Sequence, residues 1–290
     1  MAQFDRSVED LGNIVCLEHI NIRVPDQQLA TTFYVMGLGL TRDPYIMTGT
    51  TNMWMNAGRA QFHMPTGEPQ VVRGHSGLVM EGRDALLARL SDIRPALEGT
   101  NFSVREHNDY VEATCPWGNK IRCYEPGERF GQIRLGIPYV SLNVPIGTTP
   151  AIARFYNEIV GTKATTGIDG DAPIASVSAG NGQHMIFRET SEPQPEFDGH
   201  HVAVYLADFS GPYNKLLERD LISRESDQHE YRFIDIIDLD SGEVQFQLEH
   251  EVRSMRHPMY ARPLINRNPT MTNRNYVPGG YQEATWSTNT

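Results

Sequence analysis

Three histidines in this chain open short runs in which apolar residues alternate with other types. His19 begins His19-Ile20-Asn21-Ile22-Arg23-Val24, where Ile20, Ile22 and Val24 would share one strand face and His19, Asn21 and Arg23 the other. His75 opens a second run, and His201 precedes Val202, Val204 and Leu206, with His200 facing the opposite way. An imidazole on a strand face can ligate a divalent metal or move a proton. A lone strand histidine is more often a satisfied structural residue, but histidine at equivalent points of a repeat is a more specific signal.

The elements that must position these residues repeat. After Val24, Pro25-Asp26 ends the strand and starts a helix in which Leu29, Ala30, Phe33 and Tyr34 recur at helical spacing. Gly37 and Gly39 close it and lead to a second strand. The same unit reappears from Tyr139: Val140, Leu142 and Val144 match Ile20, Ile22 and Val24, Phe155-Tyr156 matches Phe33-Tyr34, and Gly161 matches Gly39. Further strand-plus-helix openings start at Gly74 and His200. Four openings spaced by roughly 55–65 residues imply four copies of one supersecondary unit. Their spans are about 14–66, 72–126, 138–190 and 198–251. In the first copy the closing strand would turn Ala60, Phe62 and Met64 to the helix and Gln61 and His63 away from it. The last copy closes with a hairpin turning at Ser241-Gly242.

This arrangement resembles the vicinal oxygen chelate superfamily, which includes glyoxalase I, bleomycin-resistance proteins and type I extradiol dioxygenases. The resemblance rests on His19 to Val24, Phe33-Tyr34, Gly37-Leu38-Gly39 and the Pro116-Trp117-Gly118-Asn119 turn, and it spans most of residues 14–251. It implies an α+β fold of four βαβββ modules paired into two cup-shaped, barrel-like domains, 14–126 and 138–251, followed by an extended C-terminal arm, 252–290. It also implies metal ligands on the first and last strands of the modules. A set of two histidines and one carboxylate would leave adjacent open positions for two oxygens of one substrate.

For the first two modules the resemblance points to His19, His75 and a third ligand. The place of the usual acid falls on Arg122. Glu125 would need a bulge to turn inward, and His63 or Gln61 could complete the set instead. For the last two modules the set would read His201 and Glu249 or Gln247, with Tyr139 where a histidine is expected and His184 as its substitute. Asn21, Arg23, Arg122 and Tyr124 would line the first cup and contact substrate, an arginine pairing with a carboxylate or phenolate. His107, Tyr110, His229 and Tyr231 lie on late strands where a general acid or base would be useful.

Composition narrows the classes. A chain of 290 residues, 39% hydrophobic and with a formal net charge of −11, can bury a sizeable core and lacks the basic surface of a nucleic-acid or anionic-membrane binder. Cys16, Cys115 and Cys123 form no CxxC pair and no disulfide framework, the thiols of a cytoplasmic protein. The first residues, MAQFDRSVEDLGN, carry no apolar signal sequence. The tail from Arg253 is rich in Arg, Asn, Pro and Tyr, and Tyr260, Leu264, Ile265 and Tyr276 would anchor it over the protein or over a neighbouring subunit of a homodimer. The expectation is a metal-dependent enzyme acting on a small oxygenated molecule such as a catechol, with extradiol dioxygenase-like chemistry at Fe(II) first. A glyoxalase-like isomerase or lyase using Zn, Ni, Mn or Fe only as a Lewis acid is the second reading, and a metal-free binding protein the third.

Overall fold

The computed structural model describes residues 4–43, 51–262 and 264. Each module is one strand, one helix and three strands. The first comprises β1 (Ile14–Asn21), α1 (Gln27–Ala30, continued as a π-helical turn over Thr31–Gly37), β2 (Thr41–Arg42), β3 (Asn52–Ala57) and β4 (Ala60–Pro65). The second comprises β5 (Gly74–Val79), α2 (Arg83–Asp92), β6 (Ser103–Glu106), β7 (Val111–Thr114) and β8 (Lys120–Tyr124). The third has β9 (Tyr139–Val144), α3 (Thr149–Phe155), β10 (Ala164–Asp169), β11 (Ala172–Ser178) and β12 (His184–Glu189). The fourth has β13 (His201–Leu206), α4 (Ser210–Leu217), β14 (Ile222–Asp227), β15 (Glu230–Ile237) and β16 (Val244–Ser254). Local chemistry explains the first turn: the Asp26 carboxylate accepts from the Gln28 and Leu29 amides at 2.7 and 3.0 Å and caps α1.

The strands form two eight-stranded mixed sheets, ordered β14-β15-β16-β13-β1-β4-β3-β2 and β10-β11-β12-β9-β5-β8-β7-β6. The expected pairing of modules one with two, and three with four, is therefore corrected. Module one shares a sheet with module four through antiparallel β1 and β13, and module two with module three through antiparallel β5 and β9. Both sheets are open, not closed barrels.

The physical reason lies on the helix side. Modules one and two, and modules three and four, bury their apolar faces against each other instead of sharing a sheet edge. Arg89 of α2 donates to the Gly37 carbonyl, and a Cβ at Gly37 would sit 2.5 Å from Ile93. Phe155 of α3 packs 5.9 Å from Phe233 of β15, which belongs to the other sheet. One apolar cluster thus draws residues from all four modules, among them Phe33, Leu90, Phe155 and Leu216. Periodicity reveals which face of a module is apolar; it does not reveal which edge will join.

The last strand runs to Ser254, so residues 252–254 belong to β16 and not to the arm. Beyond it the chain turns back over its own first sheet. The Tyr260 ring lies 5.0 Å from Tyr205, Arg262 pairs with Asp43, and Asn56 Nδ2 donates to the Leu264 carbonyl at 2.7 Å. Ile265 and Tyr276, the other expected anchors, lie outside the described residues. Among the described residues no helix is long and apolar enough to cross a membrane.

Candidate metal centre

On the first sheet, β1 lies between β13 and β4, and this register sets the site. Asn21 faces His201 on one side and His63 on the other, and His19 faces Ala203 and Gln61. Directly opposed residues of neighbouring strands point to the same sheet face. His19, His63 and His201 therefore converge, and one ring nitrogen of each lies within 4.8 Å of one from each of the others. The His19 ring stands edge-on to His63 at 5.4 Å and to His201 at 5.5 Å. Trp54 of β3 stacks on His63 at 3.7 Å and 14°.

A bulge between Leu17 and His19 inserts Glu18 into β1 without a partner on β13. The amide of Gln183, from the β11–β12 turn, holds this stretch by bonding both the N–H and the carbonyl of Leu17 at 3.1 Å. The bulge brings Glu18 to the same face as its neighbour, and its carboxylate lies 2.7 Å from His19 Nδ1. Glu18 is held in turn by Arg253 at 2.6 Å and by the Tyr205 hydroxyl at 3.1 Å. His63 Nε2 lies 2.8 Å from Asn52 Oδ1. His201 stands between two carboxylates of β16, with Glu249 3.2 Å from Nδ1 and Glu251 3.2 Å from Nε2, the latter outside hydrogen-bonding geometry. Glu251 also pairs with Arg232 and Arg253, and Glu230 pairs with both of these arginines.

The His19 and His63 rings are thus each fixed on one side and left open on the other, and His201 is flanked by Glu249 on one side and Glu251 on the other. His19 Nε2, His63 Nδ1 and His201 Nε2 are all buried without a hydrogen-bond partner. Outer-sphere acceptors on the opposite nitrogens are the arrangement that fixes the tautomer and orientation of metal-binding histidines. Charge points the same way. Four carboxylates (Glu18, Glu230, Glu249 and Glu251) face two guanidiniums (Arg232 and Arg253), an excess of two negative charges that a divalent cation would neutralise. Without the cation the imidazoles differ. Burial lowers the pKa of His19 despite Glu18, and burial together with the His19 and His201 charges takes His63 far down. Burial also opposes protonation of His201, but Glu249 and Glu251 outweigh it and raise its pKa. The residues therefore fit a divalent metal by donor type, orphaned nitrogens and charge.

The remaining candidates fall elsewhere. His75, expected beside His19, lies on β5 of the other sheet, facing Ser141, with its ring 5.6 Å from Tyr139. Glu125 lies just past β8, exposed, and accepts from the Arg83 amide at the start of α2. The bulge that mattered was in β1. Arg122 and Tyr124 also belong to the second sheet: Arg122 pairs with Glu112 at 3.1 Å, and the Tyr124 hydroxyl bonds that of Tyr139 at 2.8 Å. Tyr110 lies under the Arg122 guanidinium and stacks on His107, away from the three histidines. Tyr231 is buried in the helix-side core against Phe209 and Tyr213. His229 sits in the turn between β14 and β15. His184 faces Tyr139 on the second sheet, so it cannot join His201 and Glu249. Arg23 is exposed at the rim, reaching toward the Asp198 carbonyl at 3.4 Å. Glu249 touches His201, and Gln61 bonds Asp43 and Asn56 instead of approaching the histidines' open nitrogens.

Glu18, Asn52, Trp54, Glu230, Arg232, Glu251 and Arg253 were not anticipated. Alternation along Glu249-His250-Glu251-Val252-Arg253 could have revealed Glu251 and Arg253, which share the face of Glu249. Glu18 could not be found this way, because the bulge breaks the alternation that hides it.

No protein-family model and no curated protein matches the chain. Solved structures do. A Bacillus subtilis protein named as a "putative dioxygenase" aligns at a TM-score of 0.55 and 18% identity, covering 87% of each chain. Glyoxalase I from Zea mays aligns at 0.57 and 14%, covering 82% of this chain and 92% of that one. The cppA protein of Streptococcus pneumoniae aligns at 0.51 and 9%, covering 84% and 100%. The chain has the fold of the vicinal oxygen chelate proteins.

Proposed function

We propose that this protein is a metal-dependent enzyme that acts on a small oxygenated molecule, gripped through two of its oxygens at a divalent cation held by His19, His63 and His201. The observation that carries this reading is the trio of buried, unpartnered ring nitrogens converging beside a doubly negative network. A divalent metal bound there supplies Lewis acidity, and as Fe(II) it supplies dioxygen chemistry as well. The chain's own residues do the rest. Glu18 and Asn52 hold the rings of His19 and His63, and Glu249 flanks that of His201. Trp54 stiffens His63 by stacking, and Arg232 and Arg253 pair with Glu251 beside His201.

The first finer reading is ring cleavage of a catecholic substrate in the extradiol manner. Three neutral imidazoles leave room for both a chelating substrate and a second small ligand, and the Bacillus subtilis neighbour is named for dioxygenase activity. A second reading is a glyoxalase-like isomerisation or lyase step. It is favoured by Glu251, whose oxygen lies near enough to His201 Nε2 to serve as a fourth ligand.

The test is metal analysis of protein purified without oxygen, then oxygen uptake with catechols on the Fe(II)-loaded form and turnover of α-keto hemithioacetals on the Zn, Mn or Ni forms. Oxygen consumption with ring-opened product supports the first reading; oxygen-independent turnover supports the second. A wild-type protein that takes up no metal contradicts both.

A further inference from the structure

Asn21, one of the residues expected to contact substrate, stands between His201 and His63 on the site's face of the sheet. Its Cα pairs with those of His201 and His63 on its two flanks, so its side chain shares their sheet face. The residue is 5% exposed, and its carboxamide oxygen is buried with no hydrogen-bond partner. An orphaned buried acceptor costs stability and persists in native proteins where something else supplies the donor. The imidazoles at its sides cannot do so once their open nitrogens face a cation, because each then presents a lone pair there. The charged groups nearby are already engaged with one another, Arg232 and Arg253 with Glu18, Glu230, Glu249 and Glu251. A molecule bound at the metal that the three histidines would hold could supply the donor.

We propose that Asn21 is the specificity-determining residue of this centre: its carboxamide oxygen accepts a hydrogen bond from the bound molecule. It thereby selects bidentate oxygen ligands that keep an O–H or N–H on, or one atom from, the chelating oxygens. This rests on the metal reading above and deepens it. A ligand lacking that proton would leave the Asn21 oxygen orphaned and would bind more weakly.

A matched pair of probes isolates the effect. Acetohydroxamate chelates through two oxygens and keeps an N–H between them; N-methylacetohydroxamate makes the same chelate with a methyl group in its place. Both are titrated into the Co(II)-loaded protein, with the cobalt visible bands reporting metal occupancy and chelation separately. Wild type is expected to favour the N–H compound by about tenfold more than Asn21→Leu or Asn21→Ala does, with Co(II) affinity unchanged in both variants. If the variants keep the wild-type preference, the proposal fails while the metal centre stands. If both variants lose Co(II), Asn21 belongs to the frame of the metal site and the proposal also fails. If wild type itself binds no Co(II), the underlying metal reading fails.

Discussion

The two sheets are built on one register, yet only one of them gathers metal-binding groups. On the first sheet, Asn21, two residues after His19, faces His63, and Ala203, two residues after His201, faces Glu251. On the second, Gly77, two residues after His75, faces Arg122, and Ser141, two residues after Tyr139, faces Ile186. The four equivalent places therefore read His19, His63, His201 and Glu251 in one sheet, and His75, Arg122, Tyr139 and Ile186 in the other. A guanidinium and an aliphatic side chain cannot ligate, and a phenol buried enough to have its pKa raised well beyond its usual range stays protonated.

The second site is also filled. Gly77 stands where the first sheet has Asn21, and a Cβ there would meet the Tyr139 ring at 2.5 Å. The missing side chain lets that ring lie over the strand and bond Tyr124. Burial, followed by the charges of Arg122, Lys120 and Arg188, pushes the pKa of His75 down to about 3, so its imidazole is neutral and structural. One scaffold occurs twice. Different residues at three of the four places, and Gly77 in place of Asn21, make one copy a candidate metal centre and the other a packed, hydrogen-bonded face.

The sharpest way to break this comparison is to remove the histidines. His19→Ala and His201→Ala are expected to weaken Co(II) or Zn(II) binding by more than about 100-fold, since even outer-sphere changes cost 10–100-fold. His75→Ala should leave binding unchanged, and a metal titration followed by competition with a chelator reads all three. Next in size is Glu18→Gln, expected to weaken metal affinity about 10–100-fold by releasing the His19 ring.

The same change should alter acid stability. Burial opposes ionisation of Glu18, but Arg253 and His19 outweigh it and hold its pKa at about 2. A depressed carboxylate stabilises the fold above its unfolded pKa, and that contribution is lost as the pH falls through the folded value. Chemical denaturation of the metal-free protein at several pH values between 5 and 2 should therefore show a shallower loss in Glu18→Gln.

Gly77→Ala tests the filled site and should cost about 1–3 kcal/mol in thermal or urea unfolding, through overpacking against Tyr139. The smallest effect at neutral pH is expected at His75. Its folded pKa is depressed from 6.5, so its contribution is complete above 6.5 and is lost as the pH falls toward 3. His75→Gln should flatten stability across that window and leave neutral-pH stability nearly unchanged.

Much of this was legible in residue patterns, and the failures have physical causes. The four modules follow from alternation in the opening strands and from the repeated Phe-Tyr and glycine positions, all short-range features. His19, His63 and His201 each stood out from the apolar face of their own strand. Their grouping did not, because it depends on which module edges join, and that is decided by helix-side packing between neighbouring modules, which alternation along a strand does not encode. Pairing His19 with His75 followed chain order; the sheets follow β1 with β13. Glu18 was hidden for a different reason: a bulge moves a residue to the other face and so defeats the period of two from which facing is read. Arg232 and Arg253 show their role only once their carboxylate partners on β1, β15 and β16 are brought together.

The central claim is that His19, His63 and His201 hold one divalent metal. Its most direct test is an anomalous difference map from crystals grown with Co(II). The account predicts a single strong peak about 2.0–2.2 Å from His19 Nε2, His63 Nδ1 and His201 Nε2. A peak beside His75 and Tyr139, or none near the three histidines at full Co(II) loading, would contradict it.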